Sequence, residues 1–312
     1  MTSLSDYLKA RAAADLAKAI TGLAAAATRI SSEIRAPHSV LDAVAGDVNA
    51  DGDTQKALDV LADEIILEAS RDVGAAAYMS EEREAAIPLV DDGPFIIASD
   101  PLDGSSNIGV NVSIGTIFSI LPTEGAGLIN GRQQLAAGFF VYGPQTTLLV
   151  TVGAGVASFR MDADGNFQLI DDDVRIPDAT GEFAINAGYQ RYWLPPVQRY
   201  IADCVAGAGG PRGRDFSQRY VGSLVAEAWR IFCRGGVFLY PADSRDGFAD
   251  GRLRLVYEAA PMALLAEQAG GRATDGTRDI LDITPTAVHQ RVPLVFGSSE
   301  EVDEVGRQHA AS

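Results

Sequence analysis

The sequence predicts an α/β (α+β) fold of layered sheets and helices, because short apolar runs alternate with stretches at helical spacing along the chain. Runs such as Phe95-Ile96-Ile97-Ala98 and Val237-Phe238-Leu239-Tyr240 are bounded by Gly, Asp or Pro and are too short for helices. At 312 residues the chain exceeds the size at which one hydrophobic core is usual, so two packed domains are expected.

Leu4, Leu8, Leu16, Ile20, Leu23 and Ile30, set among alanines, predict helix over 4–34. A loop begins at Ala36-Pro37-His38 and runs to the Gly- and Asp-rich segment 46–53. Leu58, Leu61, Ile65 and Ile66 form the inner face of a helix over 54–71. Phe95–Ala98 reads as a buried strand that meets a loop at Asp100-Pro101. Further strands are expected at 112–120, 136–142 and 147–152, with a turn at Asp162-Ala163-Asp164-Gly165. The acidic run Asp171-Asp172-Asp173 ahead of Pro177 marks a boundary that separates 1–175 from 176–312. Beyond it the pattern predicts a strand at 183–187, helices near 194–207 and 221–233, and strands at Val237–Tyr240 and Leu253–Tyr257. Pro261 opens a helix that Gly270-Gly271 closes, and Val292–Phe296 is the last strand.

Hydrophobic residues make up 47% of the chain, with 32 Gly and 14 Pro, which describes a globular protein and excludes fibres and disorder. No run approaches the roughly 18 apolar residues of a membrane span. Met1–Asp6 lacks the basic and apolar regions of a secretory signal. Two cysteines, Cys204 and Cys233, exclude a disulfide framework and point to the cytoplasm. The net charge of −17 excludes nucleic acid as partner. It also opposes a phosphorylated substrate, unless bound divalent cations and a few arginines invert the field in one cleft. An acidic protein that handles phosphates should therefore be a metal protein.

Asp100-Pro101-Leu102-Asp103-Gly104-Ser105-Ser106-Asn107 is the most informative stretch. An apolar strand delivers two carboxylates, three residues apart, into a turn stiffened by Pro101, and Gly104 admits close approach of a ligand. Magnesium takes hard oxygen ligands of this kind, and the Leu102 carbonyl between the acids suits it too. The N–H groups of Gly104, Ser105 and Ser106 suit a phosphate. Three further acids stand out: the pair Glu81-Glu82, Glu258 at the end of an apolar run, and Asp59 on the helix after 54. Each alone reads as ordinary surface or an amphipathic face. Asp47–Asp53 imitates the start of a calcium loop, but Leu58 stands where the twelfth-position Glu is required; the segment is better read as an acidic loop that lends Asp53 to a cation. His38, His289 and His309 lie in turn-like or terminal segments and support no Ser-His-Asp triad.

Asp100–Asn107 resembles the signature of the lithium-sensitive, metal-dependent phosphatase superfamily, and its Asp-Pro-Leu-Asp-Gly-Ser-Ser-Asn form resembles the class I fructose-1,6-bisphosphatases within it. Arg219–Ser223, Gly235–Ala242, Leu253–Glu258 with Pro261-Met262-Ala263, and Asn49–Asp59 resemble that family in order and spacing. The resemblance spans roughly residues 40 to 300. It implies a layered α-β-α-β-α sandwich of two subdomains, a homotetramer, and hydrolysis of the 1-phosphate of fructose 1,6-bisphosphate. Carried over, Glu81, Asp100, the Leu102 carbonyl, Asp103 and Glu258 would ligate two or three Mg²⁺ (or Mn²⁺), with Asp53 near a further position. Glu82 and Asp59 would polarise the attacking water. Asp103, Gly104, Ser105, Ser106 and Arg254 would hold the 1-phosphate. Asn186, Tyr189, Tyr220 and Tyr240 would grip the 6-phosphate, with Arg252 beside them and Arg219 reaching in from a neighbouring subunit.

The chain departs from the family at several points. Arg252 replaces a lysine, Leu224 replaces a methionine, and the segment that binds AMP in the animal enzymes has no match in 10–30. Pro94-Phe95 stands in place of that site's Lys-Tyr pair, so only Arg132 is left of it and AMP inhibition should be lost. The chloroplast form's cysteine insertion is absent, so thioredoxin control of that kind is not expected. The nearest rival reading is a dual enzyme of the Calvin cycle, whose one site takes both fructose 1,6-bisphosphate and sedoheptulose 1,7-bisphosphate. An inositol or nucleotide phosphatase is opposed by Arg219–Ser223 and Tyr240, which answer a second phosphate, and a catalytically dead binding protein by the full set of acids.

Overall fold

The computed structural model describes residues 2–36, 44–48 and 54–311, organised by two sheets. The large sheet has eight strands in the spatial order Phe167–Asp171, Ala157–Met161, Thr146–Thr151, Ala136–Tyr142, Ile114–Leu121, Ile96–Asp103, Ala77–Ser80 and Ile87–Pro88. Neighbours run antiparallel except Ala77–Ser80, which lies parallel to Ile96–Asp103. The small sheet has five strands, Ser217–Gln218, Glu182–Ala184, Val237–Tyr240, Leu294–Gly297 and Arg272–Thr274. Its first two pairings are parallel and its last two antiparallel.

Strand alternation sorts the apolar side chains into layers. In Ala136–Tyr142, Ala136, Phe140 and Tyr142 face a core made with helices α1 (Leu4–Arg11), α2 (Ala14–Arg35) and α3 (Ala57–Val73). Ala137, Phe139 and Val141 face the opposite core. That second core receives α5 (Leu224–Arg234) and α6 (Ala260–Gln268), and Ala184, Phe238 and Phe296 of the small sheet close it from beyond. The far side of the small sheet, Phe183, Leu239 and Val295, packs on α4 (Pro195–Val205) and α7 (Ser299–Ala310). The order is therefore α-β-α-β-α, the layering that the family resemblance implies. Both faces of the large sheet are covered, which is why Ile114–Leu121 is buried throughout and reads as an almost unbroken apolar run.

Several elements differ from the sequence expectation. The helix over 4–34 is two helices, broken where Ala12 turns extended (φ −126°, ψ 155°). The two need different partners: Thr2 and Ser3, ahead of α1, bond to the strand Phe167–Asp171, while α2 packs along α3. Residues 54–56, expected as helix, pair instead with Val44–Val48. The strand expected to stop at Ala98 continues to Asp103, with a register shift between Asp100 and Asp103. Leu253–Tyr257 is a strand only at Leu253-Arg254; Leu255–Ala259 is a π-helical turn, because Leu255 enters the second core and Val256 and Tyr257 a separate cluster beside Met79. The strand expected over 292–296 is split at Pro293.

Candidate active site

Strand direction decides where the acids meet. Ala77–Ser80 and Ile96–Asp103 are parallel neighbours, so their C-terminal ends open on one edge of the sheet. Glu81 and Glu82 follow the first, and Asp100 and Asp103 end the second. The Glu81 N–H donates to the Ser99 carbonyl at 3.1 Å, and the Glu82 N–H to Ser80 Oγ at 3.2 Å. Arg83 fastens the same loop to α3, its Nε 2.6 Å from Asp63 Oδ2. Glu258 arrives from the π-helical turn, where its carboxylate accepts the Arg254 N–H.

Carboxylate oxygens of Glu81, Asp100 and Glu258 lie within 4.8 Å of one another. Burial, then neighbouring negative charge, raises Glu81 and Asp100 well above the ordinary carboxylate range, and burial lifts Glu258 to about 7. Asp103 is also raised by burial, to about 6, but is held lower by the Val225 N–H (2.9 Å) and Ser223 Oγ (3.1 Å), which donate to its Oδ2 from the start of α5. Glu82 adds its charge to Glu81 and Asp100. Arg254 Nη2 lies 3.5 Å from Glu81 Oε1, and Arg254 and Arg291 both act on Glu258. Two guanidiniums do not offset five acids. Close, buried, all-oxygen and short of positive charge, this donor set fits a hard divalent cation such as magnesium.

Gly104 takes the left-handed conformation (φ 78°), and a Cβ there would stand 3.1 Å from that of Ser223. Ser105–Asn107 form a short 3₁₀ turn, in which Ser106 is exposed, and Asn107 Nδ2 donates to the Gly222 carbonyl at 3.1 Å. The strand of Asp100 and Asp103 is thus joined to loop 219–223 at two points. The Leu102 N–H donates to Asp100 Oδ1 at 3.0 Å within the buried strand end. Asp59 is buried in the first turn of α3, the helix packed on this strand.

A second pocket is lined by Asn186, Tyr189, Tyr240 and Arg252, together with Asp243, Arg245 and Phe248. Tyr220 borders it: burial and then Tyr240 push its hydroxyl up to about 12, with Asn186 partly offsetting them. Arg219 stands apart, with its side chain 53% exposed and Nε 3.6 Å from Glu182 Oε1 of the same chain. Asp53 and His38 lie outside the described residues, as do residues 49–53 of the calcium-like segment. Sequence reasoning gave no role to Asn107, Asp243, Arg245 or Phe248, and it set Ser223 in the stretch that answers a second phosphate, whereas its hydroxyl donates to Asp103. Ser223 had a legible signal, a Ser immediately before an apolar helical run. Loop 242–251 had none, since it carries no period.

An acid-lined edge of hard oxygen ligands beside a tyrosine-rich pocket suits metal-assisted hydrolysis of a phosphate ester. The family models described as fructose-1-6-bisphosphatase, N-terminal domain and C-terminal domain, match residues 4–172 and 176–310. A class 1 fructose-1,6-bisphosphatase of Azorhizobium caulinodans is 56% identical over 272 residues, covering 84% of this chain and 83% of that protein. One from Xanthobacter autotrophicus is 48% identical over 322 residues, covering 98% of each. The crystal structure of Leishmania major fructose-1,6-bisphosphatase in holo form matches with a TM-score of 0.92 at 33% identity, over 99% of both chains. This chain belongs to the class 1 fructose-1,6-bisphosphatase family.

Proposed function

We propose that the protein hydrolyses the 1-phosphate of D-fructose 1,6-bisphosphate, giving D-fructose 6-phosphate and inorganic phosphate. The observation that carries this reading is the meeting of Glu81, Asp100 and Glu258, from three separate stretches of a chain of this family, within 4.8 Å. Glu81, Asp100, Asp103, Glu258 and the Leu102 carbonyl would hold two or three Mg²⁺ per subunit, or Mn²⁺ in their place, with Asp53 serving a further position. Bound there, the cations supply charge neutralisation at the phosphoryl group and acidify water. Glu82, supported by Asp59, takes a proton from the water that adds to phosphorus. The bond from phosphorus to the C1 oxygen breaks, and that oxygen takes a proton from solvent, to which Glu82 returns the one it accepted. Arg254, Asp103 and the N–H groups of Gly104, Ser105 and Ser106 hold the departing phosphate. Asn186, Tyr189, Tyr220, Tyr240 and Arg252 bind the far phosphate, which orients the reacting end.

On this reading residues 1–175 are the metal-binding half and 176–312 the substrate half of each subunit. Arg219, exposed and outside its own pocket, serves a neighbouring subunit of a homotetramer. The enzyme works in the cytoplasm; among the described residues no helix is long and apolar enough to cross a membrane. Phosphate release with saturating Mg²⁺, after chelation, and in Asp100→Ala tests the proposal. Turnover is expected to need metal and to fall roughly a hundredfold or more in the variant. No turnover by the unmutated protein at saturating metal rejects the reading. Sedoheptulose 1,7-bisphosphate is the comparison substrate.

A further inference from the structure

In the lining of the second pocket two rings and two cations, Tyr189, Arg245, Phe248 and Arg252, pack in sequence. The Arg245 guanidinium carbon lies 3.8 Å from the Tyr189 ring centroid and 3.9 Å from that of Phe248, and that of Arg252 lies 4.8 Å from the Phe248 centroid. Arg245 is therefore within cation–π distance of both Tyr189 and Phe248, with Tyr192 farther off at 5.3 Å. Asp243 fixes the plane edge-on: Arg245 Nε is 3.0 Å from both carboxylate oxygens, Nη2 is 2.5 Å from Oδ2, and the Arg245 N–H donates to Oδ1 at 3.0 Å. Asp243 is itself 6% exposed, and its N–H donates to the Phe248 carbonyl at 3.2 Å. The Ser244 N–H donates to the Tyr192 carbonyl at 2.9 Å, tying loop 242–251 to the turn that carries Tyr189.

We infer that Arg245 is a positioning residue that determines specificity for a substrate's second phosphate. It sets the ring angle of Tyr189 and, through Phe248, the place of Arg252, and both of these line the pocket together with Asn186 and Tyr240. The inference rests on the reading that this pocket takes the far phosphate. A planar fork held by a bidentate carboxylate is suited to this, because it fixes the side chains around it and lowers the entropy lost when a ligand orders them. Lysine offers neither the plane nor the fork.

The test compares Arg245→Met, Arg245→Lys and Phe248→Leu with the unmutated protein on fructose 1,6-bisphosphate and on fructose 1-phosphate, which lacks the second phosphate. Calorimetric binding of fructose 6-phosphate supplies a readout that does not depend on turnover. In Arg245→Met the ratio of kcat/KM for the bisphosphate over the monophosphate is expected to fall about tenfold, mainly through KM, with a matching loss of fructose 6-phosphate affinity. Arg245→Lys should recover little of this, and Phe248→Leu, which keeps the cation, should move the same way by less. Equal losses on both substrates, an unchanged ratio, or full recovery in Arg245→Lys overturns the assignment. If instead the unmutated protein shows no preference for the bisphosphate, the underlying reading of the pocket fails, whatever the variants do.

Discussion

Replacing Glu258 with glutamine removes one charge from the acid cluster yet keeps an oxygen able to accept the Arg254 N–H. Burial raises the Glu258 carboxyl from 4.5 to about 7, and the residue is only 6% exposed. A rise of that size is about 3 kcal/mol of destabilisation carried by the ionised folded form. Because the folded protein holds this proton more tightly than the unfolded chain, stability without metal is highest below about pH 4.5 for this group and falls until pH passes about 7. In chelator near pH 8, Glu258→Gln is therefore expected to melt above the unmutated protein, by roughly 5 °C for a chain of this size. Near pH 4, where the Glu258 carboxyl is neutral in the folded state and mostly neutral in the unfolded chain, the two should melt within about 1 °C of each other. Mg²⁺ at a thousandfold excess over Kd reverses the order, because the unmutated protein then gains about 4 kcal/mol, more than the buried charge costs, whereas the variant has lost a ligand and gains little. Calorimetric scans at the two pH values, with and without metal, read all four states. A variant that melts lower than the unmutated protein near pH 8 in chelator, or shifts equally at both pH values, refutes the claim that this charge is buried at a cost which the cation relieves.

Ser223→Ala removes a donor to Asp103 Oδ2 and the cap on the Ala226 N–H. It should cost about 1 kcal/mol of stability and weaken Mg²⁺ activation roughly tenfold in a metal titration of the rate; an unchanged titration would show that Asp103 needs no such support. Glu301 is fully buried with Arg212 at 2.7 Å, Arg214 and the Tyr200 hydroxyl at 2.7 Å. Glu301→Gln leaves two guanidiniums facing a neutral amide and should destabilise by about 3–5 kcal/mol in urea unfolding, with a loss under about 1 kcal/mol contradicting the assignment of Glu301 as their counter-ion. Arg132 already holds Glu267 at 2.9 Å and Asp282 at 2.5 Å, so no cation is left over for a nucleotide phosphate at that position. Micromolar AMP should leave the rate unchanged, and inhibition at that level would show that a nucleotide site survives.

What could be read from the chain follows from how local each feature is. Asp100 and Asp103 were legible as a pair because three residues of one strand end cannot part company. Glu81 and Glu82 were not legible alone. Their meaning depends on Ala77–Ser80 lying parallel to Ile96–Asp103, a non-local pairing that brings two C-terminal ends to one edge. Glu258 was found for a partly wrong reason: Leu255-Val256-Tyr257 looks like a strand, yet the chain winds there into a π-helical turn so that its apolar side chains can serve two cores. The helix over 4–34 was read as continuous because alanine favours helix on every face, and only the separate partners of α1 and α2 break it. Helix α7 gave almost no signal, since Val302 and Val305 are its only buried apolar residues in a run rich in acids.

The net charge of −17 shows most directly how a global number relates to a local site. Read over the whole chain, it excluded a polyanion partner and allowed a phosphorylated substrate only where cations could invert the field. In the fold, the acids that need a cation stand at one strand edge, and Arg252, with the Tyr189 that Arg245 packs against, lines a second pocket. A bisphosphate placed between them would have one end answered by cations that the acids gather and the other by guanidiniums and hydroxyls that the chain supplies itself. The acidic composition and the phosphate chemistry therefore conflict only as averages, because the acids and the pocket arginines stand in different places in the fold.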